Sequence, residues 1–146
     1  MYFDYDDDYL TAILKNTRSI ALVGASANPE RPSNFVMKVL LQHGLTIYPV
    51  NPGTAGKTIH GQLVYPNLAA IPFPVDTVDL FVASDRVSGI VDEALALHSL
   101  PKCIWMQLGV WDEDAAARAE AKGVKVVMNH CIKIEILRLG IRYPNA

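Results

Sequence analysis

Five short apolar runs, separated by stretches long enough to cross back over a sheet, constrain this chain more than any other feature. They are Ser19–Val23, Leu45–Val50, Thr77–Ala83, Cys103–Gln107 and Val124–Met128. Each is almost continuously apolar and rich in β-branched or aromatic residues. A strand of that kind needs cover on both faces, the condition met inside a parallel sheet. Amphipathic segments lie between most of the runs. Ser33 is placed to cap a helix whose stripe is Phe35, Val36, Val39 and Leu40 and which ends before Gly44. Ser84 or Asp85 can cap a second, with Val87, Ile90, Val91 and Ala94 on one face. Asp112, Glu113 and Asp114 open a third that stops at Gly123, and Leu10, Ile13 and Leu14 mark a short leading helix. The tail Ile132–Leu139 fits either period: its isoleucines alternate, while Ile132, Glu135, Ile136 and Leu139 also share a helical face. Between Asn51 and Asp76, Pro52, Pro66, Pro72 and Pro74 interrupt any regular helix, so this connection reads as a loop with a short crossing element. Strands joined by right-handed crossovers predict an α/β fold with one doubly wound, mostly parallel five-stranded sheet and helices on both faces. Residues 1–17 read as a leader with a short helix, and 18–146 as the domain.

Composition narrows the function. A chain of 146 residues has the size of one domain, and an apolar fraction of 51% is enough to build a core. Thirteen Lys and Arg against fifteen Asp and Glu give a net charge of −2, which argues against a nucleic-acid surface. No apolar run reaches the roughly 18 residues of a membrane span. The start, MYFDYDDDYL, is acidic where a signal peptide is basic, and its DYDDDY run reads as a solvated leader. Two cysteines suit a reducing compartment. The expectation is a cytoplasmic protein with a small-molecule ligand, no nucleic acid and no membrane partner; a homodimer stays open.

In a doubly wound sheet the ligand crevice lies at the carboxyl ends of the strands, so chemistry is expected just after Val23, Val50, Ala83, Gln107 and Met128. After the first strand, Gly24, Ala25 and Ser26 turn the chain, and Arg31, Ser33 and Asn34 bring a cation and short polar side chains to a helix N-terminus. Free N–H groups and the positive end of the helix dipole suit a phosphate there. Only Gly24 of the three glycines of the dinucleotide fingerprint is present, and the alternative is a plain connecting loop with Ser33 as its helix cap. After the second strand come Val50, Asn51 and Pro52, with Lys57 a few residues on. An NAD site places an acid there for the ribose hydroxyls, whereas a lysine suits a ribose phosphate. A rigid turn is the alternative reading; taken together, the two strand ends point to a phosphorylated adenine nucleotide other than NAD. The third strand end offers Ala83 and Ser84, with Arg86 close behind. At the fourth, Gln107 and Gly109 present an amide and a bare backbone, for a ligand or for bracing the loop. Trp105 and Cys103 read as core; Cys131 is either a small buried residue or a thiol at the crevice mouth. His43, His60, His98 and His130 have no metal-ligand spacing, and no Walker or G-x-S-x-G motif occurs, so no catalytic residue is assigned.

Val23-Gly24-Ala25-Ser26, Pro29-x-Arg31-x-Ser33, Pro49-Val50-Asn51-Pro52, Val78-Asp79, Trp105-Met106-Gln107-Leu108-Gly109-Val110 and Cys131-x-Lys133-Ile134-Glu135 together resemble the stand-alone CoA-binding domain proteins. Those are single Rossmann-like domains, similar to the CoA-binding part of succinyl-CoA synthetase and of NDP-forming acyl-CoA synthetases. The resemblance runs from about Arg18 to Leu139 and implies coenzyme A or an acyl-CoA as ligand. It implies that Gly24–Ser26, Arg31, Ser33 and Asn34 hold the pyrophosphate, with Pro49–Pro52 and Lys57 around the adenosine 3′-phosphate. Related chains often carry Phe-Arg after the third strand, where this one has Phe81-Val82-Ala83-Ser84-Asp85 and then Arg86. His130 stands where an arginine is common. The phosphohistidine of succinyl-CoA synthetase belongs to a second domain, and five strands with their connections use nearly all of this chain. The expected role is therefore a non-catalytic sensor, carrier or regulatory module. The alternatives are an NAD(P)-binding redox enzyme or sensor, and a subunit that completes a CoA ligase in trans.

Overall fold

The computed structural model describes residues 3–144; Met1, Tyr2, Asn145 and Ala146, the outer ends of the predicted leader and domain, lie outside the described residues. All five apolar runs form strands: β1 (Ser19–Val23), β2 (Thr46–Val50), β5 (Thr77–Leu80), β6 (Cys103–Met106) and β7 (Lys125–Val127). They pair in parallel in the order β2-β1-β5-β6-β7. The chain therefore reverses direction across the sheet between β1 and β5, the switch point at which doubly wound folds open a crevice. The proline-rich connection holds only a two-residue hairpin, β3 (Thr58–Ile59) and β4 (Gln62–Leu63), flanked by single 3-10 turns at Pro52–Thr54 and Leu68–Ala70.

Alternate residues of each strand feed two separate cores. Ile20, Leu22, Cys103 and Trp105 face α1 (Asp7–Lys15), α2 (Pro32–Gln42) and α5 (Ile132–Leu139). Ala21, Val23, Val78, Leu80, Ile104 and Met106 face α3 (Ser84–Leu95) and α4 (Glu113–Ala121). The sheet thus has helices on both faces, and the ambiguous tail is a helix. Ile132 and Ile136 bury on it one turn apart, a contact that an alternating strand would break.

Several local readings are corrected. Helix α2 begins at Pro32 with Arg31 as N-cap, so Ser33 sits inside the first turn and is not the cap. Proline's fixed φ and missing N–H make it suited to that first position. The buried face is Val36, Met37 and Leu40 with Ser33 and Asn34, while Phe35 is 53% exposed. The acidic leader is not a solvated tail. Leu10, Ile13 and Leu14 join the core, and Tyr5 and Tyr9 serve the outer edge of the sheet. The Tyr9 hydroxyl donates to Val126 O at 2.9 Å and accepts from Val126 N at 3.2 Å, and the Tyr5 hydroxyl accepts from Met128 N at 2.9 Å. Edge-strand groups that would otherwise template aggregation are satisfied in this way. Burial raises the Tyr9 phenol to about 12, so the hydroxyl keeps its proton.

Candidate functional site

A cavity of 720 Å³ opens at the carboxyl ends of the strands, beside the switch point. That is within the size range of small-molecule and cofactor sites, roughly 300–1,000 Å³. Of the residues singled out from sequence, it gathers Gly24, Ala25, Ser26, Arg31, Ser33, Asn51, Ala83, Arg86 and Gln107. Phe81, Val82, Leu108, Val110, Val36, Pro32 and Cys131 complete the lining. The apolar members follow strand ends or a buried helix face, and nothing in their sequence separates them from ordinary core.

Gly24 makes the close approach possible. Its φ is +86°, and a Cβ there would overlap the Phe81 carbonyl oxygen at the end of β5. Gly24 N and Ala25 N both donate to Val50 O, at 3.0 and 3.3 Å, which ties the loop to the end of β2. Val50 is thereby a buried support, outside the lining. Two predicted ligand residues, Asn51 in the lining and Asn34 outside it, also brace the loop. Asn51 Nδ2 donates to Ala25 O at 2.8 Å while its Oδ1 accepts from Gly53 N at 2.8 Å. Asn34 Nδ2 donates to Ser26 O at 2.8 Å, and His60 Nε2 lies 3.1 and 3.0 Å from Asn34 O and Oδ1. Asn34 is thus buried behind the loop and does not line the cavity.

Four further predicted residues lie outside the lining. Pro52 and Lys57 are exposed on the connection beyond β2, and the Lys57 carbonyl accepts from Val64 N at 2.9 Å. Ser84 and Gly109 hold each other: Ser84 Oγ donates to Gly109 O at 3.4 Å and accepts from Trp111 N at 3.1 Å. Gly109 N also donates to Asn129 Oδ1 at 2.7 Å, so Gly109 is fastened outside the lining while its neighbours Leu108 and Val110 stay in it.

The remaining polar groups are placed for a ligand. Ser33 and Gln107 are each only 4% exposed and both line the cavity. Gln107 Oε1 accepts from Ile132 N at 3.1 Å, but among the described residues neither Gln107 Nε2 nor Ser33 Oγ has a hydrogen-bond partner. Neither is among the fully buried unpaired atoms, which are Thr54 Oγ1 and the two Asp79 carboxylate oxygens, so both keep accessible surface in a residue that lines the cavity and can bond to something that enters. Arg31 and Arg86 stand at the exposed rim, and neither forms an ion pair among the described residues. The N-termini of α2, α3 and α5 meet at the cavity, and none is capped by its own N-cap residue, whereas Asp112 caps α4 by accepting from Ala115 N at 3.0 Å; at α5, Gln107 Oε1 takes the Ile132 N–H instead. An anion is the partner that uncapped helix starts and unpaired arginines favour.

The family model of the CoA binding domain matches residues 18–136. This chain belongs to the CoA-binding domain family. It is 34% identical over 122 residues to the uncharacterized protein YneT of Bacillus subtilis (strain 168), across 84% of this chain and 87% of that protein. It is also 34% identical over 84 residues to the alpha subunit of an ADP-forming acetate–CoA ligase of Pyrococcus furiosus, across 55% of this chain but only 18% of that subunit. A solved hypothetical protein from Pyrococcus horikoshii OT3 superposes with a TM-score of 0.86 at 35% identity, over 97% of this chain and all of that one. The relationship to a CoA ligase subunit is thus confined to one part of the larger protein. The family implies CoA, and the residues present fit it: two rim cations, the open starts of α2 and α3, and the unpartnered Ser33 Oγ and Gln107 Nε2 belong to one cavity. Among the described residues no group of His, Cys, Asp and Glu could hold a metal, and no helix is long and apolar enough to cross a membrane.

Proposed function

We propose that this protein binds coenzyme A or an acyl-CoA as a non-catalytic module that senses, carries or regulates. In this reading the loop after β1 is a phosphate loop: the pyrophosphate lies over the start of α2, held by its amides and by Arg31, with Arg86 opposite. The observation that carries the reading is a cavity lined by two nearly buried residues with unpartnered polar atoms, Ser33 Oγ and Gln107 Nε2, with Arg31 and Arg86 at its rim and the uncapped starts of α2 and α3 in its wall. A phosphate supplies the acceptor at one and an uncharged amide-bearing arm the acceptor at the other. The two free cysteines, both buried, fit a cytoplasmic protein.

Titration calorimetry with CoA, acetyl-CoA and NADP tests the reading, with native mass spectrometry as a second measure. CoA or its acyl form should bind more tightly than NADP. Arg31→Ala and Arg86→Ala should each weaken CoA about 10-fold to 100-fold, the weight of one charge-assisted hydrogen bond. No heat and no adduct with either CoA form, or tighter binding of NADP, would refute it.

A further inference from the structure

The inference concerns Cys131 and rests on the CoA reading above. Cys131 is the N-cap residue of α5, lines the cavity, and makes no side-chain capping bond. Its backbone is clamped from both sides. Trp105 Nε1 donates to His130 O at 2.9 Å, and the Ile132 N–H is held by Gln107 Oε1 at 3.1 Å. The thiol therefore cannot swing away with a mobile loop. At 6% exposure, with the cavity on its open side, it is approached by way of the cavity. Neither cysteine is in a disulfide, and the other, Cys103, is 1% exposed on the sheet with its thiol pushed well above the usual range by burial.

A lone cysteine would say little. The second observation is independent of it: Gln107, the side chain that fixes Cys131, lines the same cavity with an unpartnered Nε2, and Ser33 lines it from α2 with an unpartnered Oγ. Both groups are nine-tenths buried and wait for acceptors from a ligand that reaches the cavity floor. A ligand whose charged end stays at the Arg31 and Arg86 rim, and whose uncharged, amide-bearing arm passes Gln107, ends beside Cys131. In CoA that arm ends in a thiol.

We propose that Cys131 is a thiol–disulfide exchange site for the CoA thiol, so that the protein takes up CoA covalently as a mixed disulfide. The co-reactant is CoA disulfide. The Cys131 thiolate attacks the CoA sulfur seated in the cavity. The bond between Cys131 Sγ and that sulfur forms as the disulfide bond of the reagent breaks, and the second CoA leaves as a thiolate that takes up a proton. Cys131 is oxidised and the departing CoA reduced, with no further oxidant needed. Reduced CoA in excess reverses the step, which makes the occupied fraction a readout of the ratio of CoA disulfide to CoA.

The full-length protein is incubated with CoA disulfide or with glutathione disulfide, and the adduct is located by peptide mapping while calorimetry records CoA binding in parallel. The expected result is a mass gain of one CoA less a hydrogen molecule, on Cys131 and not Cys103. It should form at least about tenfold faster than the glutathione adduct, because the nucleotide raises the local concentration of the reactive sulfur. Desulfo-CoA, which carries the recognition groups without the sulfur, should suppress it, and Cys131→Ser should abolish it. CoA binding by calorimetry with Cys131 unmodified would overturn the inference and leave the binding reading intact. Equal rates with the two disulfides would also overturn it. Absence of both binding and adduct would overturn both.

Discussion

Asn51 gives the sharpest test of how the cavity is built. Its side chain spans two elements, donating to Ala25 O at 2.8 Å and accepting from Gly53 N at 2.8 Å. Asn51→Asp preserves the shape and the bond from Gly53 N but replaces the donor to Ala25 with an oxygen. Ala25 is 1% exposed, so water cannot take over at its carbonyl. Leaving such an acceptor unpaired costs about 1–3 kcal/mol. Taking about 2 kcal/mol, a domain of this size should melt roughly 4–8 °C lower. The same substitution places a negative charge in the wall that carries Arg31 and Arg86, so CoA affinity should fall by more than the loop distortion alone explains. Asn51→Ala separates the two effects: it loses both bonds without adding charge, and should bind CoA more tightly than Asn51→Asp although it keeps one bond fewer. Thermal melts and calorimetry on both variants decide. Unchanged melting in Asn51→Asp would mean that the link to Ala25 does not hold the loop. Equal CoA affinity in the two variants would mean that no phosphate lies near this wall.

Three further perturbations probe other parts of the fold. Gly24→Ala forces an L residue to φ +86° and drives its Cβ into the Phe81 carbonyl; it should destabilise by at least about 2 kcal/mol in denaturant melts, and a loss under about 0.5 kcal/mol would contradict the required close approach. Asp79 is fully buried with neither carboxylate oxygen hydrogen-bonded, and burial raises its pKa well above the usual carboxylate value. The folded chain then keeps a proton that the unfolded chain loses above about pH 4, so stability falls as pH rises from there toward the folded pKa, by up to about 1.4 kcal/mol per pH unit; melts across that range should show Asp79→Asn flattening the fall. Tyr9→Phe removes the hydroxyl that pairs with both polar groups of Val126, which should cost about 1–2 kcal/mol and speed amide exchange at Val126; unchanged exchange would show that the tyrosine does not guard the edge.

The sheet was legible because burial on both faces leaves a strong local mark, and all five runs became strands in the expected parallel arrangement. The phase of α2 was not, since Ser33 is a good cap by type and only the packing of Met37 and the place of Pro32 at the first turn reveal where the helix starts. Asn34 and Asn51 were singled out as ligand residues, but their partners are backbone carbonyls of Ser26 and Ala25, brought close by the turn at Gly24. No spacing in the chain encodes such a bond. Lys57 was placed near the ligand by its distance from β2, yet a hairpin with two-residue strands, too short for any hydrophobic period, takes it outside the cavity lining. Cys131 read from sequence either as a small buried residue or as a thiol at the crevice mouth, and it is both buried and in the lining; the clamp that fixes it, from Trp105 and Gln107, joins residues 25 apart in sequence and is visible only in three dimensions.

The order of polarity across the cavity bears on which nucleotide it suits. Arg31, Arg86 and Leu108 are exposed, while Ser33, Val36, Gln107, Val110 and Cys131 are buried. The site therefore runs from a cationic rim to a floor with two neutral polar groups, aliphatic walls and a thiol. A dinucleotide carries an aromatic ring at each end of its phosphates, and its second ring would need a flat, stacking partner on that floor. Among the described residues Phe81 is the only aromatic one in the lining, and it lies at the end of β5 beside Gly24, next to the loop that the phosphates would occupy. A molecule with one charged end and a flexible, uncharged arm meets the gradient along its whole length. With a net charge of only −2 spread over the chain, attraction for that charged end must come from the rim arginines and the open helix starts, so raising ionic strength should weaken the charged contacts and leave those of the arm unchanged.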